Sequence, residues 1–318
     1  MNNLLQALAK DYGCIFGICD PSPLPQEYYA GFTPFVSHNI DKRTNPAAVL
    51  PGVKSIVVVG VGWSSSSKRE PADGHKVRPY SAAYAKLSSL GTNPDYHPKV
   101  KSTLRELANN LPPHTKYKIL VDSPNLDERA FAHRAGIGFF GRNGLIISPQ
   151  FGSRFNIGLL LTDIPLEEWR QHCPIQLVTL SHQLKKSLTA TQLGTHYTHP
   201  KSVCPPDCNR CIAACPTGAL SADKPLETTR CISYLTQKPG DLSSVEKSLM
   251  GSQLYGCDIC QDVCPFNQAQ EKSYADPQEW LVMDDIAFTE KYGHTGMLWQ
   301  GAAILRRNAQ AVVDNSNK

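Results

Sequence analysis

The run Cys257-Asp-Ile-Cys260-Gln-Asp-Val-Cys264-Pro265 decides the fold of the second half of this chain. An earlier run, Cys204-Pro-Pro-Asp-Cys208-Asn-Arg-Cys211-Ile-Ala-Ala-Cys215-Pro216, closes on the same Cys-Pro pair, and Cys231 stands between the two. Closely spaced cysteines in a turn-rich segment can converge on one cluster of iron and sulfide, because thiolates are the ligands of such clusters. The spacing therefore predicts two [4Fe–4S] clusters.

Two ligand sets follow from the way in which two-cluster ferredoxins bind their clusters, where the last cysteine of each run ligates the other cluster. The first predicted set is Cys204, Cys208, Cys211 and Cys264. The second predicted set is Cys215, Cys231, Cys257 and Cys260. Three residues separate Cys204 from Cys208, where the usual run has two, so the spacing leaves open whether Cys204 is a ligand.

Structural zinc is the main alternative, because zinc also accepts paired Cys-x-x-Cys ligands. Zinc does not call for a third, regularly offset cysteine followed by proline in both runs, so iron–sulfur clusters are favoured. Disulfides are disfavoured, because the N-terminus lacks the charged start and long apolar segment of a signal peptide, and reducing compartments keep thiols free. We therefore expect a cytoplasmic protein.

Length and composition are those of an ordinary globular protein. The 318 residues are enough for two modest domains, and 41% of them are hydrophobic. No apolar stretch approaches the roughly 18 to 20 residues that cross a bilayer, so we expect no membrane partner. The net charge of +4 permits contact with nucleic acid but does not argue for it.

Apolar periodicity and turn residues divide the chain into four parts. The first part alternates strands and helices, which predicts helices packed on a sheet. Its predicted strands lie at residues 14–19, 55–62, 117–121 and 156–162, its helices at 4–9, 100–111 and 127–135, and a polar loop at 64–80. The predicted fold class is α+β: an α/β domain at 1–168, a connector insertion at 169–203, a ferredoxin-like double [4Fe–4S] domain at 204–267, and a C-terminal helical tail at 268–318.

Several blocks outside the cysteine runs are specific to one family. They include Asp41-Lys-Arg-Thr-Asn-Pro46, Leu50-Pro-Gly-Val-Lys-Ser-Ile56, Asp95-Tyr-His97, Val121-Asp-Ser-Pro124 with Arg129, Arg134-Ala-Gly-Ile-Gly-Phe139, Phe151-Gly-Ser153, Ile232-Ser-Tyr-Leu-Thr236, Tyr255 to Asn267, and Tyr292-Gly-His294. In these blocks, and in their order, the chain resembles the epoxyqueuosine reductases. These are cobalamin-dependent tRNA-modifying enzymes with a ferredoxin-like two-cluster domain.

The resemblance implies a fold, a reaction and partners. The first domain would be a cobalamin-binding domain akin to that of reductive dehalogenases, and the clusters would feed electrons to its cobalt. The reaction would remove the epoxide oxygen of epoxyqueuosine at the wobble position of tRNA, in queuosine biosynthesis. We expect a monomer that binds the tRNA anticodon loop and accepts electrons from an unidentified donor. The chain resembles a short form of the family, without the C-terminal helical repeats that help to grip tRNA.

The resemblance also implies site residues. Asp122 matches the family's proton donor, and an acid kept protonated by burial could protonate the oxygen of the opened epoxide. From the residues alone, Asp122 could equally accept backbone hydrogen bonds in the turn before Pro124. The positions that match cobalamin contacts of the family are Arg43, Asp122, Ile146, Ile157, Gly158 and Ser233. The neighbouring Glu128 is interpreted as structural, through pairing with Arg129 in a helix.

Two other functions stay open at this point. A related corrinoid reductase of a small molecule is consistent with the missing repeats, and it would bind cobalamin without binding tRNA. A non-enzymatic electron carrier would hold the clusters without a corrinoid. The span of matching blocks and the place of Asp122 favour the tRNA-modifying reductase.

Overall fold

The computed structural model describes residues 12–25, 35–37, 39–63, 84–172, 204–222 and 226–317. The chain forms two compact units, residues 1–63 with 97–206 and residues 64–96 with 207–318. The predicted helix at 4–9 and the predicted loop at 64–80 lie outside the described residues. The predicted connector begins inside a helix, and its residues from 173 onward also lie outside them.

The secondary structure consists of short strands and mostly short helices. The strands are β1 (Cys14–Cys19), β2 (Ser55–Gly62), β3 (Ala85–Leu87), β4 (Tyr117–Val121), β5 (Phe139–Phe140), β6 (Ile146–Ile147), β7 (Phe155–Thr162), β8 (Gln253–Tyr255) and β9 (Ser273–Ala275). The helices are α1 (Ile40–Thr44), α2 (Ser89–Thr92), α3 (Tyr96–Asn109), α4 (Glu128–Arg134), α5 (Leu166–His172), α6 (Arg210–Ala214), α7 (Ile232–Gln237), α8 (Ser244–Met250), α9 (Ile259–Asp262), α10 (Pro277–Val282), α11 (Asp285–Tyr292) and α12 (Gly301–Ser316).

The four predicted strands and two of the predicted helices of the first unit are confirmed, with small shifts at their ends. Strand β7 starts one residue earlier than predicted, and helix α3 covers residues 96–109 rather than 100–111. Helix α4 begins after Asp127, whose carboxylate accepts hydrogen bonds from the N–H groups of Arg129 and Ala130 at 3.1 and 3.2 Å. The cap was predictable because aspartate at this position satisfies amides that have no partner within the helix.

The sheet of the first unit has the strand order β1-β2-β7-β4, and all its pairs are antiparallel. Strand β2, one of the two central strands, is buried from Ser55 to Val61, as its continuous apolar run requires. Helix α4 packs against one face of the sheet together with Ile157 and Leu159. Helix α3 packs against the other face, where a Cβ on Gly158 would lie 2.6 Å from Val100. The predicted mixed α/β architecture is confirmed.

The second unit is built on a small mixed sheet and a long terminal helix. Its sheet has the order β8-β3-β9, with β3 parallel to β8 and antiparallel to β9. Helix α12 packs against α10, α8 and β8, and its Asn308 donates to the carbonyls of Thr236 and Leu254 at 2.8 Å. These two bonds tie the buried helix to the segment that carries the second cysteine run. Across the ranges that the structure describes, none of the helices combines the length and the apolar content that crossing a membrane would need.

Candidate active site and cluster-binding residues

Asp122 lies directly after β4, at one end of the sheet of the first unit. Its φ of +48° is in the left-handed region, which costs a residue other than glycine about 1 kcal/mol or more. Its side chain is 58% exposed. We expected burial to keep this carboxyl protonated, and the structure does not provide that burial among the described residues. The strained backbone instead shows that surrounding contacts hold the turn in place.

His97 is the ionisable side chain that faces Asp122. Its Nε2 lies 3.7 Å from Oδ2 of Asp122, and it projects from the first turn of α3. The distance is longer than a hydrogen bond, but a protonated imidazole there attracts the carboxylate. The sequence block that contains His97 was conspicuous in the resemblance, but the pattern did not indicate a role for this residue.

Glu128 is the carboxyl group that burial affects most strongly in this region. Its Oε1 accepts a hydrogen bond from the N–H of Ser123 at 3.1 Å, and the N–H of Asp122 also donates to this carboxylate. Burial raises the pKa of Glu128 to about 8, and the negative charge of Asp122 adds to the shift. Glu128 is therefore mostly protonated at neutral pH.

The predicted pairing of Glu128 with Arg129 is replaced by other contacts. Nε of Arg129 lies 3.7 Å from Asp127, and its Nη1 donates to the carbonyl of Gly144 at 3.1 Å. Glu128 instead reaches back to the turn that precedes its helix. The sequence did not predict this contact for two reasons. Adjacent residues in a helix point in different directions, so Glu128 and Arg129 do not face each other. The contact of Glu128 with Ser123 depends on how the chain folds between these two residues, and no local pattern indicates that path.

Arg43 is brought close to the same segment by backbone hydrogen bonds. Its carbonyl accepts from the N–H of Asp127 at 3.3 Å, and the N–H of Ser37 donates to the carbonyl of Pro124 at 2.7 Å. The end of α1 therefore lies beside the loop that runs from Asp122 to the start of α4. The structure thus gathers Arg43 and Asp122 into one region of the first unit.

The other positions matched to cobalamin contacts are distributed differently. Val121 pairs with Gly158 across the sheet, so Ile157 lies beside the point where Asp122 leaves it. Ile157 is partly buried on the α4 face, while Gly158 faces α3. Ile146 is only 2% exposed and fills the core on the α4 face. Ser233 belongs to the second unit, in the first turn of α7, where its carbonyl accepts from Thr236 at 3.1 Å.

Four cysteines of the second predicted ligand set lie near one another in the second unit. Cys215 follows α6, Cys231 precedes α7, and Cys257 and Cys260 lie at the start of α9. Burial raises the pKa of the Cys257 thiol to about 12, and charges on Cys231 and Cys215 raise it further. Burial also raises the pKa of Cys260, as do charges on Cys257 and Cys231. Thiolates gathered in this way repel one another unless a cationic centre binds them.

Polar donors surround Cys215, one of these four cysteines. Although burial opposes it, the pKa of Cys215 is lowered by Thr217, whose Oγ1 lies 3.6 Å from Sγ, and by backbone N–H groups of residues 217, 219 and 220. Hydrogen bonds to sulfur are a feature of iron–sulfur sites, where they tune the reduction potential. This donor set fits a [4Fe–4S] cluster.

Ser88 provides a buried hydroxyl group next to the second cysteine run. It is 3% exposed, and its Oγ has no hydrogen-bond partner among the described residues. A Cβ on Gly256, the residue before Cys257, would overlap this hydroxyl. The N–H of the next residue, Ser89, donates to Oδ2 of Asp258 at 2.6 Å, which fixes the segment against the second cysteine run. A buried hydroxyl without an acceptor is unfavourable, so a bound group with sulfur acceptors would satisfy it.

The first predicted ligand set is divided between the two units. Cys204 lies in the first unit, which ends at residue 206, whereas Cys208, Cys211 and Cys264 lie in the second. In the parts of the chain that the structure describes, no three His, Cys, Asp or Glu side chains are grouped as they would be around a single metal ion. The ligand sets therefore remain predictions.

The fold and the cysteine runs define an iron–sulfur oxidoreductase. Residues 204–267 match the family model for a 4Fe-4S double cluster binding domain, and residues 43–123 match that of "Epoxyqueuosine reductase QueG, DUF1730". The epoxyqueuosine reductase of Bacillus cereus is 32% identical over 297 residues, which cover 89% of this chain and 68% of the relative. That of Bacillus subtilis is 31% identical over 299 residues, covering 89% of this chain and 69% of the relative. The chain belongs to the epoxyqueuosine reductase family, as the resemblance predicted.

Solved structures of the family share the fold of this chain. The epoxyqueuosine reductase of Streptococcus thermophilus matches with a TM-score of 0.75 and 26% identity over 99% of this chain and 81% of that one. A structure with an epoxyqueuosine-modified tRNA stem loop matches with a TM-score of 0.75 and 26% identity, covering 99% of this chain and 80% of that one. A structure of the Bacillus subtilis epoxyqueuosine reductase, with its catalytic aspartate loop swung out of the active site, matches with a TM-score of 0.74 and 25% identity. The match covers 99% of this chain and 81% of that one.

Proposed function

We propose that this oxidoreductase converts epoxyqueuosine at the wobble position of tRNA into queuosine, with Asp122 as the acid at the reacting epoxide. Removing the epoxide oxygen takes two electrons and two protons, and it releases water and leaves a carbon–carbon double bond. The observation that carries the proposal is an exposed carboxylate at the end of a sheet, facing His97, in a chain of this family.

The electrons require redox groups, and the cysteines fit two [4Fe–4S] clusters. The double-cluster domain covers all eight cysteines of the two runs. We propose that the two ligand sets are those predicted from the spacing, with Cys215 crossing to the set of Cys231, Cys257 and Cys260. The thiol, hydroxyl and amide donors around these residues are the groups that would hold and tune such a cluster.

We also propose cobalamin as the group that acts on the epoxide, since the first unit offers an unsatisfied amide donor and apolar surface that suit a macrocycle with an amide-bearing rim. Asn143 is 6% exposed, and its Nδ2 has no hydrogen-bond partner among the described residues, so it can donate to an amide carbonyl. Arg43 offers further donors, and Ile157 offers apolar surface. When bound, cobalamin would supply a strongly reducing cobalt centre. Ile146 is enclosed in the core and offers it little surface.

The protein's own residues handle the protons. Once its exposed carboxylate has taken up a proton, Asp122 donates that proton to the epoxide oxygen, so that a neutral hydroxyl rather than an alkoxide develops. A small rotation brings Nε2 of His97 within hydrogen-bond distance of Oδ2, from which it can return a proton to Asp122. For tRNA, we expect a wobble base that is splayed out of its stack and phosphates held by Lys and Arg.

Anaerobic turnover of epoxyqueuosine-containing tRNA, with cobalamin and a chemical reductant, tests the proposal. Nucleosides from digested tRNA are separated and identified by mass, and queuosine should accumulate. Asp122→Asn should abolish most turnover while the cluster absorbance and cobalamin uptake stay unchanged. Asp163→Asn is the matched control, because Asp163 follows a strand at the opposite end of the same sheet. Full turnover by Asp122→Asn would remove Asp122 from the mechanism.

A further inference from the structure

We propose that Glu128 is a positioning residue whose carboxyl group accepts hydrogen bonds from the turn at Asp122 and Ser123, a contact that we call the clasp, and so holds Asp122 in position to protonate the epoxide oxygen. The kinetic part of this inference rests on the proposed function, whereas the clasp itself does not. Glu128 was not among the predicted site residues.

The turn needs an external restraint. Asp122 adopts φ +48°, a conformation that an aspartate leaves readily when nothing holds it. The N–H groups of Asp122 and Ser123 both point to one carboxyl group, and Oε1 of Glu128 is 3.1 Å from the second of them. Two consecutive amides that share one acceptor fix the peptide plane between them, and this plane sets the direction in which the Asp122 side chain leaves the backbone.

Glu128 is itself held in place by helix α4 and the residues around its start. Glu128 is the first residue of α4, and Asp127 both caps this helix and donates its N–H to Arg43. The helix in turn packs on β2 and β7. Glu128 therefore anchors the turn to a rigid part of the first unit, and a change in its side chain should affect the turn without unfolding the helix.

The charge state of the clasp follows from its surroundings. Burial disfavours the carboxylate of Glu128, and the charges of Asp122 and Asp127 disfavour it further, so that its pKa is about 8. On the elements around the site, His97 faces Asp122, and Asp20 lies 3.7 Å from Arg134 at the far end of α4. The ring of His133 lies against the carbonyl of Gly138, also at that end. Above pH 8 a second negative charge therefore forms beside Asp122 and repels the carboxylate of Asp122, while the two backbone N–H groups can still donate to Glu128.

Hydrogen exchange of the full-length protein tests the clasp without any turnover. In the wild type and in Glu128→Gln, the amides of Asp122 and Ser123 should exchange slowly, because glutamine keeps an oxygen acceptor. In Glu128→Ala they should exchange about tenfold faster or more, since both amides lose their acceptor. Glu167→Ala is the control, because Glu167 is an exposed glutamate in the first turn of α5. Equal exchange in wild type and Glu128→Ala would overturn the clasp.

Kinetics then test what the clasp does for the reaction. Glu128→Ala should lower kcat about tenfold or more with little change in KM, and Glu128→Gln should restore most of it. The wild type should lose activity above about pH 8, and Glu128→Gln should lack this alkaline limb. If Glu128→Gln lacked the loss of activity above pH 8 but the amides of Glu128→Ala did not exchange faster, the positioning role of Glu128 would be contradicted. Altered exchange in a protein that produces no queuosine would support the clasp and refute the proposed function instead.

Discussion

Replacing Glu128 by glutamine should stabilise the protein at neutral pH. The folded protein holds a proton on Glu128 up to a pKa of about 8, whereas the unfolded chain releases it near the ordinary value of 4.5. Below pH 4.5 both states are protonated, and the group does not affect folding. As the pH rises from 4.5 to 8, folding must take up a proton, so the wild type loses stability throughout this window. Glutamine needs no proton and escapes this loss.

The size of the effect follows from the two pKa values. Each unit of difference in pKa corresponds to about 1.4 kcal/mol, because that is the free energy of a tenfold change in proton binding. Between pH 5.5 and pH 7.5 the wild type should therefore lose roughly 2 kcal/mol of unfolding free energy relative to Glu128→Gln. The neutral side chain keeps the hydrogen bonds to the turn, so the comparison isolates the charge.

Anaerobic urea unfolding of both proteins at the two pH values measures this difference. Subtracting the change in the variant from the change in the wild type cancels every other titrating group that the two proteins share. Glu167→Gln serves as the control, because this glutamate is exposed in the first turn of α5. If the stability difference between wild type and Glu128→Gln were the same at pH 5.5 and pH 7.5, the carboxyl would not be protonated in the folded protein.

Two further changes probe the cluster segment and the sheet. Ser88→Ala should make the midpoint potential of one cluster more negative, because a hydroxyl donor to sulfur stabilises the reduced state. An anaerobic redox titration followed by electron paramagnetic resonance measures this potential. Unchanged potentials would show that the hydroxyl does not contact the cluster. Gly158→Ala should destabilise the protein by about 1 to 3 kcal/mol in urea unfolding, because the new Cβ would lie 2.6 Å from Val100 and 2.8 Å from Leu104. An unchanged urea midpoint would mean that helix α3 moves aside freely.

The elements that could be predicted are those whose signal is local. The apolar run of β2 and the capping aspartate of α4 act within a few residues, so their sequences predict the structure directly. Strand β3 has only three residues, and its pairing with β8 depends on a segment far along the chain, so no local pattern indicated it. Its place in the second unit could not be predicted for the same reason.

The candidate site was predictable in its residue types and less so in its electrostatics. The position of Asp122 after a strand was predictable because Tyr117–Val121 is a clear β pattern. Which of the two carboxyls, Asp122 or Glu128, is buried and protonated was not predictable. We expected Asp122 to be the buried, protonated acid, but Glu128 has that environment. Burial is a property of the folded chain, and it depends on how closely the turn approaches α4.

The small sheet of the second unit also governs the order in which the protein can be assembled. Strand β3 leaves the ribosome long before its partners, and Ser89 and its acceptor Asp258 are 169 residues apart. The early segment must wait, without its neighbours, until most of the chain has been synthesised. Expression of residues 204–267 alone would therefore omit a strand that pairs with the segment leading into the second cysteine run.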